Sequence, residues 1–205
     1  GESCMLGKTK FLIFGMVAFA LCVRSSTTAM AQTPKLQIQG TIEQVMVVLG
    51  TIHSAADIAK NKDLFRKILL VRFDFTEMSR RSLGSHWNEL QGKEEEFVLA
   101  FTQFLEHSYL GRLGSYRGEK VIYGREQVDQ KFAEVDTQVV GGQGPAIDVN
   151  YRLHLVGDEW KVYDMVIDQV SIVSNYRSQF NRILRNFSLD ELLKKLRDRG
   201  SGNES

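Results

Sequence analysis

Cysteine is nearly absent. The 205-residue chain holds two, Cys4 and Cys22, and both fall within its first 31 residues. Residues 32–205 therefore contain no thiol, which excludes disulfides and cysteine catalysis from that segment. Histidine is also sparse: His53, His86, His107 and His154 are scattered, no two at a spacing that places ligands on one helix or strand face, so no metal site is expected. An excess of charge is missing too. The formal net charge is +1, and nucleic acid is not expected as a partner because binding it needs a concentrated basic face. Ser171 lacks the Gly-x-Ser-x-Gly elbow of a serine hydrolase. The run Gly141-Gly-Gln-Gly144 has no Lys-Ser/Thr after it, so it reads as the loop of a hairpin and not as a phosphate cradle.

An uninterrupted apolar run does occur, from Phe11 to Val23, after Lys8 and Lys10 and before Arg24, a Ser/Thr patch and Ala29-Met30-Ala31. That order is the pattern of a cleaved secretory signal, and the run is shorter than the ~17 to 25 residues a bilayer-spanning helix needs. Mature protein is expected to begin at Gln32. Residues 1–31 are then the signal with upstream residues, Gly1 to Cys4 preceding Met5. Lipidation of Cys22 is not expected, because Leu21 before it is too large for lipoprotein processing. Loss of Glu2, Lys8, Lys10 and Arg24 leaves a net charge of about −1.

What the rest of the chain has is patterned apolar residues, within a hydrophobic content of 43%. Ile147 to Leu155 alternates apolar and polar, Gly157-Asp158 makes a turn, and Trp160 to Val170 is rich in β-branched and aromatic residues: two strands of a hairpin. Ile172, Tyr176, Phe180, Ile183, Leu184 and Phe187 follow at helical spacing, laying a helix on the sheet. Upstream, a helix opens at Thr41, with Ile42, Val45, Met46, Leu49 and Ile52 on one face, and a short one covers Leu64 to Leu70. Short helical pieces are expected at 72–78 and 82–87, punctuated by Gly84. Gly92 precedes a long helix that has Glu94, Glu95 and Glu96 in its first turn and Phe97, Phe101, Phe104, Leu105 and Tyr109 as its stripe. Beyond Gly111 and Gly114, Val121 to Tyr123 and Phe132 to Val140 read as strands. Ser188-Leu-Asp-Glu191 is a capping box for a last helix, Leu189 to Leu196. The expectation is one α+β domain over residues 32–199, with helices on a four-stranded, mostly antiparallel sheet, and a polar tail at 200–205.

Trp160-Lys-Val-Tyr-Asp164, Val170-Ser171, Asn175-Tyr176-Arg177 and Phe180 together resemble the signature of the MlaC family. Leu83-Gly84, Trp87, Phe97, Phe101, Phe104, Tyr109, Leu113, Tyr116, Val149 and Tyr151 also stand where that family's pattern places them, so the resemblance spans the chain from about Ile42 to Leu196. These are periplasmic phospholipid-carrying components of the Mla, or toluene-tolerance, ABC transport system. The resemblance implies a curved sheet and helices around a deep apolar cavity, like the nuclear-transport-factor cone, and no enzymatic activity. It also implies a phospholipid ligand whose head group stays in solvent at the mouth. Its implied partners are an inner-membrane MCE-domain complex with its ATPase and an outer-membrane lipoprotein bound to a porin, with the chain itself a monomer serving outer-membrane lipid asymmetry.

Under that reading the cavity lining comes from facing elements: Phe104, Leu105 and Tyr109 on the long helix, Val149, Tyr151 and Leu153 on the first hairpin strand, Val166 and Ile167 on the second, and Ile172, Tyr176 and Phe180 on the helix after it. Each of these would serve equally to fill a solid core. No cofactor is expected. The enzymatic alternative rests on Asp164 and Asp168, four apart on one strand and so on one face, where a desolvated carboxylate in an apolar pocket would act as a general base of a small isomerase or hydratase. Salt bridging or capping of nearby backbone is the expected role for Asp164.

Overall fold

Pro34, with φ preset for a helix, starts the first element of the computed structural model, which describes residues 32–110, 116–141 and 144–201. Helix α1 (Pro34–Leu49) is capped by the Thr33 hydroxyl, which accepts from the Leu36 amide at 3.3 Å. It begins seven residues before Thr41, whose hydroxyl caps nothing and instead donates to the Gln37 carbonyl inside the helix. Helix α2 (Ala55–Arg72) is capped by Ser54 and is far longer than the expected Leu64 to Leu70; its first half is Ala, Lys, Asp and Asn around a single Ile58, with no apolar stripe to reveal it. Asp74 caps α3 (Phe75–Leu83), and Gly84 ends it at φ 62. At that glycine a side chain would be both strained and within 3.6 Å of Arg177. A 3-10 turn (Gly84–Glu89) leads to α4 (Glu94–Leu110), with its three glutamates in the first turn as expected.

The sheet is a meander of antiparallel neighbours in the order β1 (Lys120–Asp129), β2 (Phe132–Val140), β3 (Ile147–Val156), β4 (Glu159–Ile167) and β5 (Val170–Ser171). The fifth strand is only two residues long and forms because Asp168 and Gln169 turn the chain back at φ 45 and φ 68. β1 runs well past Tyr123, since a register shift between Tyr123 and Glu126 hides its second half from an alternation count. A second shift, between Arg152 and Leu153, leaves Tyr163 of β4 unpaired. Helix α5 (Ile172–Leu184) follows directly, capped by Ser171, and α6 (Leu189–Gly200) carries the reciprocal Ser188–Glu191 box.

The buried apolar residues fall into three clusters. The largest joins α3, α4, α5 and α6 around Phe97, Phe101, Tyr176 and Phe180. A second sets Ile38 of α1 on Ala133, Val135, Leu153, Trp160 and Val162 of the sheet, and a third joins α1 and α2 through Val48, Leu49, Phe65 and Ile68. Phe73 and Met165 pack on both of the first two. Among the described residues no helix is long and apolar enough to cross a membrane. The signal-peptide reading of residues 1–31, Gly111 to Gly114 and the middle of the Gly141–Gly144 loop lie outside the described residues.

Candidate functional site

Between α2 and α4 runs an open groove of about 520 Å³. Its walls are apolar: Leu70 from α2, Phe73 and Phe75 from the link into α3, Trp87 from the 3-10 turn, Val98 and Leu99 from α4. The Phe73 and Phe75 rings stack at 5.8 Å to make its floor. Phe73 is held there by the backbone: it ends α2 in an extended conformation and bridges to Val162, while the Asp74 amide donates to the Val162 carbonyl at 2.9 Å. Helix α4 therefore has two apolar sides, one of phenylalanines in the main cluster and one of Val98 and Leu99 in the groove.

Charges at the groove are mostly paired with one another. Arg66 of α2 reaches across to Glu106 of α4 with two hydrogen bonds, at 2.7 and 2.5 Å. Those bonds hold the Arg66 guanidinium above its ordinary pKa against the opposing effect of partial burial. Asp74 contacts His154 at 3.0 Å, and Lys161 donates to the Val71 carbonyl at 2.7 Å. Glu94 and Glu95 stand at the rim in the first turn of α4. Behind α2, Arg72 is buried and donates to Gln37, Thr41 and the Trp160 carbonyl, and this burial lowers its pKa. It ties α1, α2 and β4 together.

None of the predicted lining residues lies in this groove. Leu105, Ile172, Tyr176 and Phe180 are buried in the α3–α6 cluster, where Phe101 meets Phe180 at 5.3 Å and Tyr176 at 5.2 Å. Phe104, Tyr109 and Ile167 border that cluster half-buried. Leu153 is fully buried against α1, with Tyr151 beside it, and Val149 faces Ile167 across the strands. Burial pushes the Tyr151 phenol up to about 12, helped by the nearby Tyr123, with a hydrogen bond to Thr137 acting the other way. Val149, Tyr151, Leu153 and Ile167 thus share one face, as alternation requires. Val166 does not: it pairs with Asn150 and Ser171 on the opposite face, because alternation lets only one of two adjacent residues face inward.

The Asp164–Asp168 pair, expected on one strand face, is not found there. Asp164 is 3% exposed, accepting from the Ser171 hydroxyl at 2.6 Å, the Val173 amide at 3.0 Å and Arg152 at 3.2 Å. Asp168 lies beyond the end of β4 in the turn, exposed, at φ 45, and accepts from the Asp148 amide at 3.1 Å. The two carboxylates do not share a strand or a pocket. One anchors the start of α5 and the other closes a turn, so the arrangement offers no paired acid and base.

A family model described as MlaC protein matches residues 39–198. The chain belongs to the MlaC family. The toluene tolerance protein ttg2D of Pseudomonas putida is 26% identical over 165 residues, 75% of this chain and 74% of that protein. The intermembrane phospholipid transport system binding protein MlaC of Haemophilus influenzae is 25% identical over 203 residues, 95% of this chain and 94% of its own length. A phospholipid-binding protein from Ralstonia solanacearum, solved in complex with a phospholipid, superposes with a TM-score of 0.73 at 22% identity, covering 84% of this chain and 99% of that one. At that identity the likeness shows that the MlaC-family chain and the Ralstonia protein share a fold. Leu70, Val98, Leu99 and Val156 were missed as groove residues because they lie off the apolar stripes that define their elements. A second apolar side on α4 was the one signal available.

Proposed function

We propose that this MlaC-family chain is a periplasmic phospholipid carrier, working between the inner-membrane MCE-domain complex and the outer-membrane lipoprotein–porin complex of an Mla-type system. A diacyl phospholipid carries on the order of 30 methylenes, and at about 0.8 kcal/mol each, exposed tails would cost more than 20 kcal/mol. A carrier must enclose them. The observation that supports this reading is the apolar lining and the length of the α2–α4 groove, which, being open, covers one side of such tails. It follows α4 from Glu94 to Glu106, which at 1.5 Å per residue is ~18 Å, close to the ~15 Å that one leaflet's chains occupy in a bilayer core. Phe73 stands between the groove and the seam where Tyr151 and Met165 meet the helices, and this seam is the proposed place for further acyl surface. The names of the Haemophilus and Ralstonia relatives agree with such a ligand. Asp164 and Asp168 take structural roles in this reading, and the chain is a carrier and not a catalyst.

The test is mass spectrometry on protein purified from a periplasmic fraction. An organic extract is expected to contain phospholipid in stoichiometric amount, and the intact chain to begin at Gln32. Protein recovered only from detergent-solubilised membranes with Phe11 to Val23 retained, or an extract free of phospholipid, would overturn the reading.

A further inference from the structure

Helix α2 is apolar on two sides. Phe65 and Ile68 face α1 in the third cluster, yet Leu64, Leu70 and Val71 are exposed by 45%, 52% and 55%. On the same side of the helix stand the exposed Lys60 and Lys67, with Asp63 as the single exposed acid of the helix. A surface helix ordinarily turns a polar side to water. Large aliphatic residues interleaved with lysines are instead the composition of a helix that lies in a membrane interface. Leu70 belongs to this outer face and to the groove at once, so a surface that covers the face also meets the groove.

We propose that the outer face of α2 docks on a bilayer carrying anionic phospholipid, with Leu64, Leu70 and Val71 at the acyl boundary and the lysines among the phosphates. Charge complementarity favours this occupant. The chain's net charge is close to zero while this face is locally basic, and anionic leaflets attract such lysines over about a Debye length. A second copy paired across a two-fold axis would set the same lysines against each other, which disfavours self-association through this face. The proposal does not depend on what the groove holds.

The experiment uses residues 32–205, because the Phe11–Val23 run would itself enter membranes. The protein is cosedimented with vesicles of phosphatidylcholine and of a phosphatidylcholine–phosphatidylglycerol mixture. Binding is expected to the mixed vesicles and to weaken with added salt. Each lysine near an anionic surface is worth roughly a fivefold gain in partition, so Lys60→Glu with Lys67→Glu should lower it by more than about twentyfold. Leu64→Ser with Val71→Ser should also lower it, and Arg182→Glu with Lys194→Glu, exposed on α5 and α6, should not. Unchanged thermal midpoints would show that these surface changes leave the fold intact. Absence of binding to the mixed vesicles, or binding that the α2 changes do not reduce, overturns the proposal. So does a dimer in velocity sedimentation that Leu64→Ser with Val71→Ser dissolves in a chain that ignores vesicles. Phospholipid in the purified protein is read separately: cargo without vesicle binding removes the docking proposal alone, and vesicle binding without cargo removes the carrier reading alone.

Discussion

Truncating Asp164 would leave the Ser171 hydroxyl, the Val173 amide and the Arg152 guanidinium facing a gap, in a place that is 3% exposed. Losing one side of such a buried pair costs on the order of 3 kcal/mol, somewhat less here because Arg152 keeps partial access to water. Asp168→Ala loses one bond to the Asp148 amide in the exposed turn, together with the tolerance Asp has for a positive φ, about 1 kcal/mol in all. Chemical denaturation of both variants should therefore separate them clearly, and phospholipid bound per folded molecule should be unchanged in each. Equal destabilisation would contradict the placement of Asp168 in the turn. The sequence shows that both are aspartates, four apart; an unpaired Tyr163 and a left-handed turn, which decide their separate fates, leave no mark on alternation. Asn150 carries the same lesson. Its side-chain amide donates to Asp136 on the neighbouring strand at 2.6 Å, a bond that alternation does not reveal, so Asn150→Ala is expected to cost about 1 kcal/mol.

Among the elements, β3 and α5 were legible because their alternation and helical spacing are uninterrupted; β4 was read through to Val170 because the turn at Asp168 and Gln169 carries no glycine or proline, and α2 and β1 were read at less than their true length. In α2 the first half is started by the Ser54 cap and continues into the second half, where Phe65 and Ile68 pack on α1; a cap does not show as an apolar stripe. Helix α3 is short and held by charge. Glu77 accepts from Arg80 Nε and Nη2 and from Arg81 Nε, all at 2.7 Å. Burial alone would raise the Glu77 pKa, but these bonds from Arg80 and Arg81 outweigh it and hold the carboxyl below its ordinary 4.5. A depressed carboxylate contributes stability that is present above the unfolded pKa and is lost as pH falls through the folded one. Glu77→Gln should thus destabilise by about 1 kcal/mol at neutral pH. Urea midpoints of variant and parent should converge once the solution is acid enough to protonate Glu77 in the parent. A gap that persists undiminished into acid would mean that the charge of Glu77 is not what holds α3.

At the scale of the whole molecule, the question is where apolar surface is filled and where it is left for a ligand. Val149 is buried, its carbonyl accepts from the Thr137 hydroxyl at 3.0 Å, and Ile167 faces it across the strands. Val149→Trp would overpack that position and destabilise by roughly 1 to 3 kcal/mol. Leu99 is 58% exposed along the groove, so Leu99→Trp can lay its ring there without displacing any core side chain. Ile122 of β1, exposed by 53% and outside the groove, supplies the control Ile122→Trp. Thermal midpoint and extracted phospholipid are measured for the three variants and the parent. If acyl chains lie in the α2–α4 groove, Leu99→Trp loses phospholipid at an almost unchanged midpoint, Val149→Trp lowers the midpoint, and Ile122→Trp does neither. If the chains lie instead between the sheet face of Val149 and Tyr151 and the helices, the pattern inverts. Val149→Trp then depletes phospholipid with little effect on the midpoint, because the ring enters space that lipid had occupied, and Leu99→Trp retains a full complement. That second pattern would return the site to the strand face that alternation first marks, and would leave the groove as a surface feature of the helical layer.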